Sequence, residues 1–261
     1  QAGIDAEEKA MVCWVVNGLG EGLNGPCWTD RALMDAFIGY SRRERTAMPP
    51  ALCMVSGTME APAGQHPKGI VPINGNAKLI SANDSSGFTY RGRFDDAAQA
   101  ATVGYAASQK AHSALRWLVA NQSVSFGGRT FLCWNPQGIQ VPKVTGPMGR
   151  RNGSAQRAAN PSQYQTQLRE ALSGWKEDLP QSADVVITAF DAATTGRLAV
   201  TYYNELLASD FLDRLHSWEA SCCWENGPHG IQSPSLSQIV SWAFGTPRNG
   251  KAEMDDRILS Q

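Results

Sequence analysis

The 261-residue chain contains no G-x-S-x-G, H-E-x-x-H, G-x-G-x-x-G or G-x-x-x-x-G-K-[ST] signature, so the common nucleophile, zinc-protease and nucleotide-cradling chemistries lack their local scaffolds. Histidine is sparse, and His66, His112, His216 and His229 are neither clustered nor spaced as ligands. The six cysteines, Cys13, Cys27, Cys53, Cys133, Cys222 and Cys223, form no C-x-x-C pair. Vicinal Cys222 and Cys223 cannot both point at one metal without unusual backbone geometry, so reduced core thiols are expected in place of a zinc knuckle. Cys53 with His66 is the one imaginable nucleophile and base, but sequence proximity does not bring such partners together. No catalytic residue, metal or cofactor is therefore expected. No run of about 18 apolar residues is present, and the first ten residues lack the basic flank and apolar centre of a leader. A cytoplasmic protein with no membrane contact is the expectation.

What is present is a composition able to build a substantial core, 42% hydrophobic with a formal charge of −1. The most informative stretch runs from Lys68 to Phe94. Asn74-Gly75 is the strongest short hairpin signal, because a tight two-residue turn needs φ > 0 at both positions. Asn76 follows it, and Ser81 to Gly87 is a run of small donors and acceptors that reads as a loop. Phe88, Tyr90 and Phe94 then alternate with Arg91 and Arg93. Lys68, Lys78, Arg91 and Arg93 against the single Asp84 give this stretch +3 in a chain of −1. A solvated hairpin with aromatics capping the core would account for the pattern. A nucleic-acid reader would too, with Lys68, Lys78, Arg91 and Arg93 on phosphates, Asn74, Asn76, Asn83, Ser85 and Ser86 on base edges, and Phe88 or Tyr90 as a wedge.

Read in order, Met11 to Val16 is an apolar strand, and Asp30 caps a helix over Arg31 to Arg45. Ala51 to Val55 is a second strand. From Asp95 the period changes: an Ala-rich run to about residue 121 carries Ala101, Tyr105, Ser108, His112 and Leu115 on one stripe, which predicts a long helix with Asp95 as its cap. His112 on that stripe reads as a hydrogen-bonded core histidine. Thr130 to Trp134 is a strand. Residues 136–160 form a Gly- and Pro-rich linker in which Lys143, Arg150, Arg151 and Arg157 meet no acid, a pattern suited to sequence-independent phosphate contact. Beyond it come a helix over Ser162 to Trp175, strands over Asp184 to Phe190 and Arg197 to Tyr203, and helices over Ser209 to Trp224 and Ser235 to Phe244, with another beginning at Lys251. The tryptophans of Ser209 to Trp224 read as packing. Without regular βαβ alternation the fold class is α+β: antiparallel hairpins and small sheets packed with helices. Three regions are expected: 1–135 with the basic hairpin, the linker 136–160, and a second α+β to helical region 161–261.

Several long segments in order, H-P-K-G-I, A-K-L-I-S-A-N-D-S-S-G-F-T-Y-R-G-R-F, V-G-Y-A-A-S-Q-K-A-H-S-A-L-R-W-L, F-D-A-A-T-T-G-R-L-A-V-T-Y-Y-N-E-L and W-E-A-S-C-C-W, resemble the large subunit of the subtype I-C CRISPR Cascade surveillance complex over roughly Cys53 to Gly245. That family's subunit is longer at both ends and this chain begins with Gln, so a fragment is expected. The resemblance implies a non-enzymatic role: inspecting double-stranded DNA for the protospacer-adjacent motif, helping to separate the strands, and docking a recruited helicase-nuclease. Its implied partners are crRNA, target double-stranded DNA and the backbone, crRNA-processing and small subunits of Cascade. The alternatives are a scaffold that holds crRNA and neighbouring subunits without reading DNA, and a nuclease, which metal-dependent turnover would reveal.

Overall fold

The computed structural model describes residues 13–16, 25–45, 49–72, 75–81, 102–143, 158–194, 196–225 and 230–244. The chain forms two compact units, one from 1–63 with 102–105 and the other from 64–101 with 106–261.

In the first unit, β1 (Val15–Val16) pairs antiparallel with β2 (Gly25–Pro26), and β3 (Ala51–Leu52) with β4 (Met59–Glu60). Helix α1 (Arg31–Arg45) starts where the sequence places it, because Asp30 Oδ1 accepts from the Leu33 amide at 3.0 Å and satisfies an N–H that the helix leaves unpaired. Thr102 to Gly104, inside the expected long helix, are extended instead. The carbonyls of Thr102 and Val103 accept from Met54 and Ala63, and Gly104 bridges Pro62. A Cβ at Gly104 would lie 1.9 Å from Glu60 Cδ, so any larger residue there would have to displace the Glu60 side chain. The helix therefore begins at Tyr105, ten residues beyond the expected Asp95, and runs as α2 (Tyr105–Gln122). The Asp95 cap itself falls outside the described residues.

The second unit is organised on a four-stranded antiparallel meander: β5 (Val124–Phe126), β6 (Arg129–Trp134), β7 (Asp184–Thr194) and β8 (Arg197–Leu207). Strand alternation sends neighbouring side chains to opposite faces. On one face Cys133, Val185 and Ile187 meet Tyr164, Leu168, Leu172 and Trp175 of α3 (Pro161–Asp178) and Phe211, Leu212 and Leu215 of α4 (Ala208–Cys222). On the other, Leu132 and Phe190 meet Val119, Leu115 and Leu118 of α2 together with Ile70, Val71 and Ala77. The result is a sheet between helices, each fully buried aliphatic contributing about 1.5–3 kcal/mol relative to exposure. Two short strands, β9 (Trp224–Glu225) and β10 (Ile231–Gln232), pair antiparallel, and α5 (Leu236–Phe244) follows. The architecture is α+β.

Two expectations about packing fail. Trp218 and Trp224 are 43% and 54% exposed, Trp224 meeting Trp242 edge to face at 4.9 Å. Of the cysteines, all free, only Cys53 and Cys133 are buried, and Cys13 is exposed. Periodicity marks a stripe but not its edges: Trp218 is a partly exposed residue of α4, while Trp224 lies beyond that helix, on β9.

Candidate nucleic-acid interface

Ile70, Val71 and Ala77 are buried against the second face of the sheet, and this burial positions the basic hairpin stretch. Beside them Lys68 is exposed and Lys78 half-buried. Lys68 and Lys78 form an antiparallel bridge, and Gly69 N–H donates to Ala77 O. Gly69 has φ +68°, and a Cβ there would lie 3.1 Å from Gly75 O, a backbone that glycine alone adopts without strain. Lys78 is pinned a second time at the sheet edge: its amide donates to Gly196 O at 3.1 Å and its carbonyl accepts from Leu198 N at 2.9 Å.

These pinned residues and α2 enclose an open cleft of about 740 Å³. Lys68, Lys78 and Arg116 supply its charge, and Gln65, Asn76 and Gln109 its amides. Among the described residues no carboxylate lines it. Arg116 Nη2 donates to Lys68 O, and Lys68 Nζ donates to Asn76 Oδ1 at 3.2 Å, so the cations are tied into one frame.

Two histidines underlie the cleft. His112, 2% exposed, bonds through Nδ1 to Ser108 O at 2.7 Å, which makes it the hydrogen-bonded core histidine the stripe predicts; its Nε2 has no hydrogen-bond partner. His66 Nδ1 lies 2.8 Å from Ser108 Oγ, and the two imidazoles stack at 6.0 Å. Burial holds His66 below the ordinary imidazole range, and the charges of His112 and Lys78 act in the same direction. Its partner is a serine hydroxyl, while Cys53 Sγ accepts from the Ser56 amide at 3.4 Å. The hydroxyl–imidazole pair has the spacing of a nucleophile with its base, but Ser108 is only 1% exposed.

Of the residues singled out from sequence, Lys68, Asn76 and Lys78 come together here. Lys143 does not join them; it is exposed and lines a separate groove. Asn74, Asn83, Ser85, Ser86, Phe88, Tyr90, Arg91, Arg93, Arg150 and Arg151 lie outside the described residues. The sequence reading missed Gln65, Gln109 and Arg116. A signal existed for two of them: Gln109 and Arg116 are seven apart, with His112 between, which puts all three on one helical face. Among the described residues no group of three or more His, Cys, Asp or Glu could hold a metal ion, and no helix is long and apolar enough to cross a membrane.

Sheet, helices and cleft together define an α+β protein with a preformed cationic, amide-lined surface. The model of the CRISPR-associated protein (Cas_Csd1) family matches residues 1–260, and the chain belongs to that family, that of a Cascade large subunit. No curated protein matches the chain.

Proposed function

We propose that the chain acts, without catalysis of its own, as the large subunit of a type I-C crRNA-guided surveillance complex in antiviral defence. In this reading it inspects double-stranded DNA for the protospacer-adjacent motif, aids strand separation and docks the helicase-nuclease. It works alongside crRNA and the backbone, crRNA-processing and small subunits. The observation that carries the reading is the cleft in which Lys68, Lys78 and Arg116 converge with three side-chain amides and, among the described residues, no carboxylate. Fixed cations hold a phosphate backbone in register, and amides can both donate to and accept from base edges. The segment that carries Lys78 continues in sequence into Asn83, Ser85 and Ser86, the proposed motif readers, and on to Phe88 or Tyr90 as the wedge. Arg91 and Arg93 follow as further phosphate contacts. Base pairing to the guide reads the target, leaving the protein only the short motif and the backbone, a division of labour seen in another RNA-guided effector.

The test uses the assembled complex and two duplexes that share a guide-matched target and differ in the flanking trinucleotide. Lys68→Gln/Lys78→Gln is expected to weaken binding to both duplexes and to flatten the dependence of log K on log salt by about 0.9 per lost phosphate contact. Asn83→Ala/Ser85→Ala is expected to relax discrimination between the flanks by about 1–3 kcal/mol. If both variants bind and discriminate as the parent does, the reading fails. If they abolish assembly instead, the surface belongs to a scaffold.

A further inference from the structure

A second groove, of about 610 Å³, lies where the carboxy-terminal end of α2 meets the end of β6. One wall is α2, where Leu115, Leu118 and Val119 turn into the core and Trp117 is left 61% exposed. Trp134, the last residue of β6, and the largely buried Trp175 of α3 also line the groove.

The opposite wall is a loop held in one shape. Asn135, 3% exposed, accepts through Oδ1 from the amides of Gln137 at 2.9 Å and Ile139 at 3.1 Å, and donates through Nδ2 to Asp184 O at 2.8 Å. Gly138 takes φ +83° to complete the turn. Farther along, the Cys133 thiol donates to Pro142 O at 2.9 Å. The groove is thus preformed, which removes an ordering cost from whatever it binds.

Its chemistry is aromatic and amide, with Lys143 the one cation among the described residues that line it. Asn121, Gln122 and Gln140 line it, Gln122 with a buried Oε1 that has no hydrogen-bond partner, and among the described residues no carboxylate lines it. Lys143 stands at its mouth and opens the run to Arg157 that carries four cations and no acid. An exposed indole is a stacking plate for a base, and the end of α2 adds carbonyl partial charge that favours N–H-bearing base edges, the thymine N3–H among them. A phosphate beside the base would fall to Lys143.

We propose that this groove holds an unpaired nucleobase of a single strand, stacked on Trp117, with its phosphate on Lys143. The inference rests on the nucleic-acid reading above but concerns a different surface. It assigns the single-strand contact to this groove and the duplex contact to the Lys68 cleft. The match that selects this occupant over an apolar peptide is the adjoining cationic, acid-free run.

The test uses the full chain and a dye-labelled dT8, with a second dT8 carrying one 5-iodouracil for photocrosslinking. Trp117→Ala is expected to lower dT8 affinity about 5- to 100-fold, and Trp117→Phe to retain most of it. Lys143→Gln is expected to weaken binding and reduce the salt slope by about 1. The crosslink maps to Trp117 or Trp134 and persists in Lys68→Gln/Lys78→Gln. Trp117 is largely solvent-facing, so its variants keep the parental melting temperature. Unchanged dT8 affinity in Trp117→Ala, or a crosslink confined to residues of the Lys68 cleft, overturns the proposal, as does absence of dT8 binding. The two readings fail separately: in the assembled complex Trp117→Ala leaves flank discrimination intact, whereas failure of the Lys68 cleft removes duplex binding and spares the groove.

Discussion

His66 is held below the ordinary imidazole range chiefly by burial, and then by His112 and Lys78. Its unfolded value lies near about 6.5. Between the lowered folded value and that reference the unfolded chain binds more protons, so stability falls as pH drops through the window. Above it both states carry neutral His66, and below it the loss is complete and constant. His66→Gln is expected to flatten this part of the profile, read from urea midpoints between pH 7 and 5; a variant that tracks the parent throughout would assign the titration elsewhere. Little of this is legible in sequence, because H-P-K-G-I says nothing of a second imidazole 6.0 Å away. Glu219 is hidden in the same way inside W-E-A-S-C-C-W. It is 1% exposed and accepts from Tyr164 and, at 2.6 Å, from Ser233. Burial and the neighbouring carboxylate push the Tyr164 phenol well up, so this phenol stays a donor at any physiological pH.

At the scale of elements, helix α3 shows how completely local chemistry can specify a boundary. Asn160 Oδ1 accepts from the Gln163 amide and Gln163 Oε1 accepts from the Ala159 amide, each at 2.8 Å, while Pro161 occupies the first helical position. This is a reciprocal cap built from short-range partners. Asn160→Ala is expected to cost about 1 kcal/mol and Asn160→Asp almost nothing, measured by chemical denaturation. An equal loss in both variants would place the cost in something other than the cap. Boundaries of this kind, including the Asp30 cap of α1, could be read in advance. The start of α2 was missed, although Thr102-Val103-Gly104 interrupts the Ala-rich run with two β-branched residues and a glycine. The backbone pairing of those residues with Met54, Ala63 and Pro62 is a tertiary choice that periodicity does not encode. For the same reason the cleft was half legible: Lys68, Asn76 and Lys78 share one hairpin, whereas Arg116 arrives from forty-eight residues away through its bond to Lys68 O.

Across the whole molecule, the basic stretch 136–160 is bracketed by strands of one sheet. β6 precedes it and β7 follows it, and they pair in register from Arg129↔Asp191 to Trp134↔Val186. Val141 and Ala158, on either side of residues 144–157, are buried in the same apolar cluster with α3 and α4. Ladder hydrogen bonds and shared apolar burial hold such a junction without a covalent link, since both persist when a connecting peptide is cut. A protease site introduced within 144–157 is therefore expected to yield a nicked chain that elutes as one particle on size exclusion under native conditions. The same sample should resolve into two pieces in denaturant. Covalent continuity adds a chain-entropy advantage that depends only weakly on loop length, so the nicked protein should unfold at lower denaturant than the intact one and show greater sensitivity to its own concentration. Two native peaks after cleavage would mean that the β6 to β7 ladder does not suffice to join the halves. The cationic run would then be a tether between separable bodies, and the Trp117 groove, whose walls come from both sides of the cut, would lose oligonucleotide binding at the same step.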